Sequence, residues 1–304
     1  MGKLLLISLF ALLLIKDAGS QHLFPVYSQY MLNGLALNPA YAGSRDVFNI
    51  TVGYRNQWVG FDGAPVSQTL SAHTPMKNEN VALGIFLHNE QIDIRNNTSL
   101  YLNYAYRIPL SRGRLSLGLK AGGINRNINW NRLSLHDPGD VVFSDPGSSD
   151  MLPNFGFGIY YYTTRAFIGA SVPFFLSDST RNSKPVLYHD MRNYNYLVSG
   201  GFVAGRGAFK VKPSFLVKYS EKSPLQVDAN LSFILADLIW IGASYRIEDS
   251  MVGLFKLQIS DRLRIGYTYD YSLGQLNRFT NGSHEVSLIY DFRFRVDVVN
   301  PRYF

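Results

Sequence analysis

The chain reads as an all-β transmembrane barrel of about fourteen antiparallel strands, with short periplasmic turns and long extracellular loops. Three observations predict this. Between Met251 and Tyr271, Gly253, Phe255, Leu257 and Ile259 alternate with Val252, Leu254, Lys256 and Gln258. After Ser260-Asp261, Leu263, Ile265, Tyr267, Tyr269 and Tyr271 alternate with Arg264, Gly266, Thr268 and Asp270. Successive strand side chains point to opposite faces, so each half carries one apolar and one largely polar face. Runs of about ten residues match a tilted strand crossing a bilayer and exceed the usual five or six of a soluble sheet.

The second observation is the parity of the connections. Those after even strands are short: Met76–Glu79, Pro109–Gly113, Thr163–Arg165, Gly205–Gly207, Ala236-Asp237 and Ser260-Asp261. Most of those after odd strands are longer: Asn56–Pro65, Asn89–Asn96, Arg126–Pro153, Phe175–Asn193 and Ser272–Ser283, with Ser220–Pro224 and Ile247–Ser250 departing mildly. Short turns on one side and long loops on the other is the asymmetry of outer-membrane barrels. The third is composition. Hydrophobic residues make up 46% of 304, charged residues 17%, and there are 20 Tyr, 20 Phe and 26 Gly. Mean hydropathy is −0.04, so the chain is no helical membrane protein.

In chain order, Leu4 to Ile15 is an apolar run after Lys3 and before Asp17-Ala18-Gly19-Ser20, too short to span as a helix. Residues 1–20 are therefore expected to be a cleaved signal peptide. Without cysteine, a lipoprotein anchor, disulfides and zinc-thiolate sites are excluded. Residues 21–45 are expected to form an N-terminal segment on the periplasmic side. Its Phe24 to Met31 stretch is too aromatic for a free tail, and Asn38-Pro39-Ala40-Tyr41-Ala42-Gly43 carries turn chemistry.

The barrel is assigned to residues 46–295. Its strands are expected near 46–55, 66–75, 80–88, 97–108, 114–125, 154–162, 166–174, 194–204, 208–219, 225–235, 238–246, the two halves of the 251–271 hairpin, and 284–294. The 238–246 strand is ambiguous, because Trp240 and Ile241 fall on opposite faces. Pro213 lies on the lipid-facing register, where a bulge is expected to accommodate its missing donor. Residues 296–304 form a tail ending in an aromatic residue.

Charge follows the same logic. A net charge of +7 is spread singly along strands, with no nucleic-acid motif, so a basic lumen is its expected home rather than nucleic acid. Each charge facing mid-bilayer lipid would cost roughly 2–4 kcal/mol. Lys210, Lys212 and Lys218 are therefore assigned to the lumen, to meet Asp228, Asp270 and Asp291 or water. Arg264 and Arg293 are assigned there too.

The N-terminal third carries distinctive words. Ser28-Gln29-Tyr30-Met31 with Asn33, then Asn38 to Gly43, then Arg55-Asn56-Gln57-Trp58-Val59-Gly60-Phe61 with Gly63-Ala64-Pro65, resemble the PorP/SprF family. His73-Thr74-Pro75 and the later Gly-rich strands continue the match more loosely. The resemblance implies an outer-membrane protein of the type IX secretion and gliding systems of Bacteroidota. Its implied partners are outer-membrane lipid, periplasmic ring and lipoprotein components, and the C-terminal domain of a secreted adhesin held for export or surface retention. Tyr30, Asn38, Pro39, Tyr41, Gly43, Arg55, Trp58 and Gly60 are the candidate partner-binding residues. Asn38-Pro39 and Gly43 are expected to fix the turn that docks the N-terminal segment at the periplasmic rim. Arg55 and Trp58 are expected at the extracellular mouth.

No enzyme is expected. The six histidines show no metal spacing, and the acidic loop between Asp137 and Asp150 has no calcium-binding repeat. Ser71 and His73 share a strand face without an identifiable orienting acid. No metal or cofactor is assigned. The alternative reading is a porin-like channel whose basic lumen passes anionic solutes. The loop Arg126–Pro153 is expected to bind cargo or plug the lumen.

Overall fold

The computed structural model describes residues 28–129, 148–181, 184–247 and 249–292. Three 3-10 turns, Ser28–Met31, Gly34–Ala36 and Pro39–Tyr41, precede the strands. The strands are β1 (Phe48–Asn56), β2 (Val66–Pro75), β3 (Val81–Ile92), β4 (Arg95–Leu110), β5 (Gly113–Ile128) and β6 (Ser148–Tyr162). Next come β7 (Ala166–Val172), β8 (Ser177–Arg181), β9 (Lys184–Tyr188), β10 (Tyr196–Phe202), β11 (Ala204–Arg206) and β12 (Phe209–Ser220). The last are β13 (Ser223–Leu235), β14 (Ile239–Arg246), β15 (Ser250–Gln258), β16 (Leu263–Ser272) and β17 (Ser283–Phe292).

Each strand pairs antiparallel with its neighbours, and β1 pairs with β17, which closes the ring. β10 and β11 are one stave broken at Val203, and β8 with β9 forms a separate hairpin in the connection after β7. The result is a closed barrel of 14 staves. Its burial is inverted relative to a soluble protein. Leu102, Leu119, Phe155, Ile168 and Phe255 face outward, while Asn49, Thr51, Asn103, Arg107 and Lys120 are buried inside. An apolar exterior round a polar lining is stable where lipid replaces water, and closure of the ring lets the staves bond to one another rather than to solvent.

Three expectations are corrected. β5 and β6 run further than alternation indicated, to Ile128 and from Ser148. Their extra residues, Arg126-Asn127-Ile128 and Ser148 to Pro153, are mostly polar and put Met151 and Leu152 side by side rather than in alternation, so they carry no period-two apolar face to signal a strand, and the loop between them shrinks. Its residues 130–147, including His136 and most of the acidic stretch, lie outside the described residues. At Pro213 there is no bulge, because the register with β13 runs unbroken from Phe209 to Lys218 and shifts only at Lys218/Ser220. The missing donor is accommodated on the other side, where β10 ends and β11 begins opposite Lys212-Pro213. Trp240 resolves inward and Ile241 outward. The third correction is the largest and concerns residues 28–45.

Candidate functional site: an occupied lumen

The N-terminal segment lies inside the barrel, not at its rim. It touches staves all round the ring, which only an interior position allows. Ser71 on β2 donates to Asn33 Oδ1 at 3.1 Å, and Ser171 on β7 donates to the Leu37 carbonyl at 2.8 Å. Asn230 on β13 donates to the Tyr30 hydroxyl at 2.6 Å. The Gly43 amide donates to His73 Nδ1 at 3.1 Å. Leu35, Ala36, Leu37, Ala40 and Ala42 are all buried, so this short stretch is as apolar as a protein core and is sheltered from water like one.

Local chemistry shapes the plug. Asn38 caps the 3-10 turn Pro39–Tyr41 by accepting from the Ala40 amide at 2.9 Å, and Pro39 occupies its first position without wasting a donor. The Asn38 amide nitrogen also reaches the wall, donating to the carbonyls of Ile159 on β6 at 3.0 Å and Ala170 on β7 at 3.3 Å. One side chain thereby straddles two staves. Gly158 and Gly169 make room for it, since a methyl group at either would crowd the Asn38 amide. At Gly118 a methyl would overlap the Ala40 backbone, and at Gly266 it would overlap Leu32. Gly43 combines a φ of +73° with close approach to Ala82, so no other residue fits there.

Charges sit in two belts. Toward the long-loop end, Arg55 holds Asp270 at 2.9 Å and Glu285 at 3.2 Å, and Arg246 holds Asp228 at 3.2 Å and Asp249 at 3.0 Å. Toward the short-turn end, Asp291 binds Arg45 at 3.1 Å, Asn49 at 2.7 Å, and Arg264. Arg107, wholly buried, binds Asp46 at the root of the plug and the Tyr162 hydroxyl at 2.9 Å. Lys210 pairs with Asp237 at 2.7 Å. The carboxylates expected to meet the lysines are thus bonded by arginines, whose planar forks reach two acceptors at once. Lys212 is buried in the same lumen, and Lys218 lies on the same register. Arg293 lies outside the described residues.

Arg55 is buried in the lumen wall rather than presented at the mouth. Trp58 follows in the β1–β2 loop with φ +49°, and its amide donates to Ser283 Oγ at 3.1 Å. Val59 exchanges backbone bonds with Gly282 and Asn281, so this loop is zipped onto the β16–β17 loop, with Gly60 at φ +94° turning the chain. Ser71 and His73 are both taken up by the plug, through Asn33 and Gly43. Among the described residues no group of three His, Asp or Glu side chains is placed to hold a metal ion. Between plug and wall a cavity of about 50 Å³ remains beside Tyr30, Leu37, Phe167, Ser199, Lys212 and Ser214, room for one or two waters.

The contributors that sequence reasoning missed are Asn33, Leu35, Arg45, Arg107, Arg246 and the luminal glycines. The glycines did leave a signal: Gly84, Gly118, Gly158 and Gly266 all fall on the inward register, where a barrel lining has no local need of them.

Solved structures resemble this one in fold. The outer membrane protein Omp33 of Acinetobacter baumannii is 8% identical over 81% of this chain and 99% of that one, with a TM-score of 0.50. The CymD monoaromatic hydrocarbon channel is 12% identical over 91% and 95%, with a TM-score of 0.51. No curated protein matches the chain in sequence. The closed barrel, its apolar exterior and these likenesses place the protein in the outer membrane. Residues 20–290 match the family model of the type IX secretion system membrane protein PorP/SprF, and the chain belongs to that family.

Proposed function

We propose that this barrel works by holding protein partners rather than by conducting solutes. It would bind periplasmic components of the secretion apparatus, the C-terminal domain of a secreted surface adhesin, or both, for export or surface retention. The reading assigns it no catalysis. One observation carries it: the lumen is filled by the chain's own residues 28–45, bonded to the wall from β2 round to β13. A conduit for anionic solutes needs a continuous aqueous path, and the plug's contacts with the wall stand across that path.

Two measurements test this. The purified barrel in planar bilayers is expected to carry no steady current. Pull-down from native membranes is expected to recover secretion-ring lipoproteins or one large surface protein. Steady anion-selective current without any such partner would return the channel reading.

A further inference from the structure

The inner face of β6 is shared between two segments of the chain. Its inward positions run Tyr160, Gly158, Gly156 and Asn154 toward the long-loop end. Tyr160 meets the Tyr41 ring edge-on at 5.6 Å between centres, and Gly158 makes room for Asn38 and Pro39, so the first two serve the plug. Gly156 does not. A methyl group there would overlap the Pro173 backbone, so this glycine admits the connection that follows β7. Asn154 then fixes that connection. Its Oδ1 accepts from the Phe175 and Leu176 amides, each at 3.0 Å, and its Nδ2 donates to the Leu176 carbonyl at 2.7 Å. The Phe175 amide also donates to the Phe155 carbonyl at 2.9 Å.

Ahead of these anchors the chain turns into the lumen. Pro173 is fully buried. Phe174 meets Tyr101 of β4 edge-on at 5.6 Å, and the Lys120 ammonium of β5 lies 4.0 Å from the Phe174 ring centre and 4.5 Å from that of Tyr101. A desolvated cation against two aromatic rings favours this placement of Phe174. The same ring packs on the buried cluster of Ala36, Phe86 and Tyr101, of which Ala36 belongs to the plug. Leu176 runs directly into β8, so the β8–β9 hairpin hangs from this anchored root. We infer that Pro173–Leu176 is a strap that covers the Ala36 side of the plug from the long-loop end and releases without unseating the plug. Its anchors are Tyr101, Lys120 and Asn154, with Phe175 against Tyr194; the plug's own bonds run to Ser71, Ser171 and Asn230. Separate ties allow separate opening. The strap stands whether or not the barrel holds a protein partner.

The chain has no cysteine, so a single introduced thiol reports on one place. Full-length Ala36→Cys and Ala40→Cys proteins in detergent are timed against a charged maleimide, each with and without Phe174→Ala. Both alanines are buried, so with Phe174 in place both thiols should label slowly. Phe174→Ala should speed labelling at position 36 at least about tenfold and leave position 40 unchanged. An unchanged rate at 36 overturns the strap, as does rapid labelling there while Phe174 is present. Equal acceleration at both positions overturns independent release, because plug and strap then open as one. Should Phe174→Ala fail to assemble, Asn154→Ala takes its place. It removes three bonds to the strap and must give the same split between the two positions, or the inference falls.

Discussion

The two sides of this barrel are built differently. On one, β4 and β5 run 16 residues each and β6 runs 15, so the staves project beyond the bilayer and are held to each other by long ladders. On the other, β7 and β10 run only 7 residues each, and the stave begun by β10 breaks at Val203 before the 3 residues of β11. The short side is where the plug bonds most directly to the sheet. Asn38 bridges β6 to β7, Ser171 holds the Leu37 carbonyl, and Tyr30 and Leu37 pack on Leu197 and Leu216. On the long side the plug is held through Arg107 and by close fit against Gly84 and Gly118. Long ladders hold one half of the ring; the other is closed by shorter ladders backed from inside by a segment that is not part of the sheet.

That contrast can be broken deliberately. Arg107→Met removes the buried ion pair to Asp46, leaving Arg114 at 3.8 Å, and the bond to the Tyr162 hydroxyl; it should cost about 2–4 kcal/mol, read as a lowered unfolding temperature. Amide exchange in β4 and β5 should nonetheless stay slow, because their ladder does not depend on the plug. Gly118→Val drives a side chain into the Ala40 backbone, a strain of about 1–3 kcal/mol or more. The plug should yield before the sheet, giving ion current in planar bilayers where the parent gives none. Asn38→Ala removes two bonds to strand carbonyls and a turn cap, about 1–3 kcal/mol. Its exchange should quicken in β7 and β10 and stay unchanged in β4 and β5; uniform quickening would mean the two sides are not held differently. Last, Ala236 and Asp237 both have positive φ in the tight β13–β14 turn. Ala236→Gly should raise stability by about 0.4–1 kcal/mol without altering exchange on either side.

The staves were legible because a strand with lipid outside and water-like groups inside writes its alternation into the chain. Val211, Phe215, Leu231 and Phe233 could face only one way. The pairing of charges was not legible, since Asp291 meets Arg45 and Arg264 across 246 and 27 residues of sequence, a consequence of closure rather than of local pattern. Nor was the plug's position. Residues 28–45 form three turns of three or four residues with no periodicity, and their fit depends on single glycines contributed by staves far along the chain. The motif words Asn38 to Gly43 marked the right residues. Their role emerged only when the wall they touch was in place.

The position of the plug, immediately upstream of β1, constrains how the molecule is made. β17 must find β1 to shut the ring, and a finished hoop would have to admit Tyr30, Leu35 and Tyr41 past a lining already crowded with arginines. Enclosure as the staves curl round it avoids that passage. A ring shut without the segment would leave its two shortest staves, β7 and the β10–β11 stave, without the inner support that Asn38, Leu37 and Tyr30 supply.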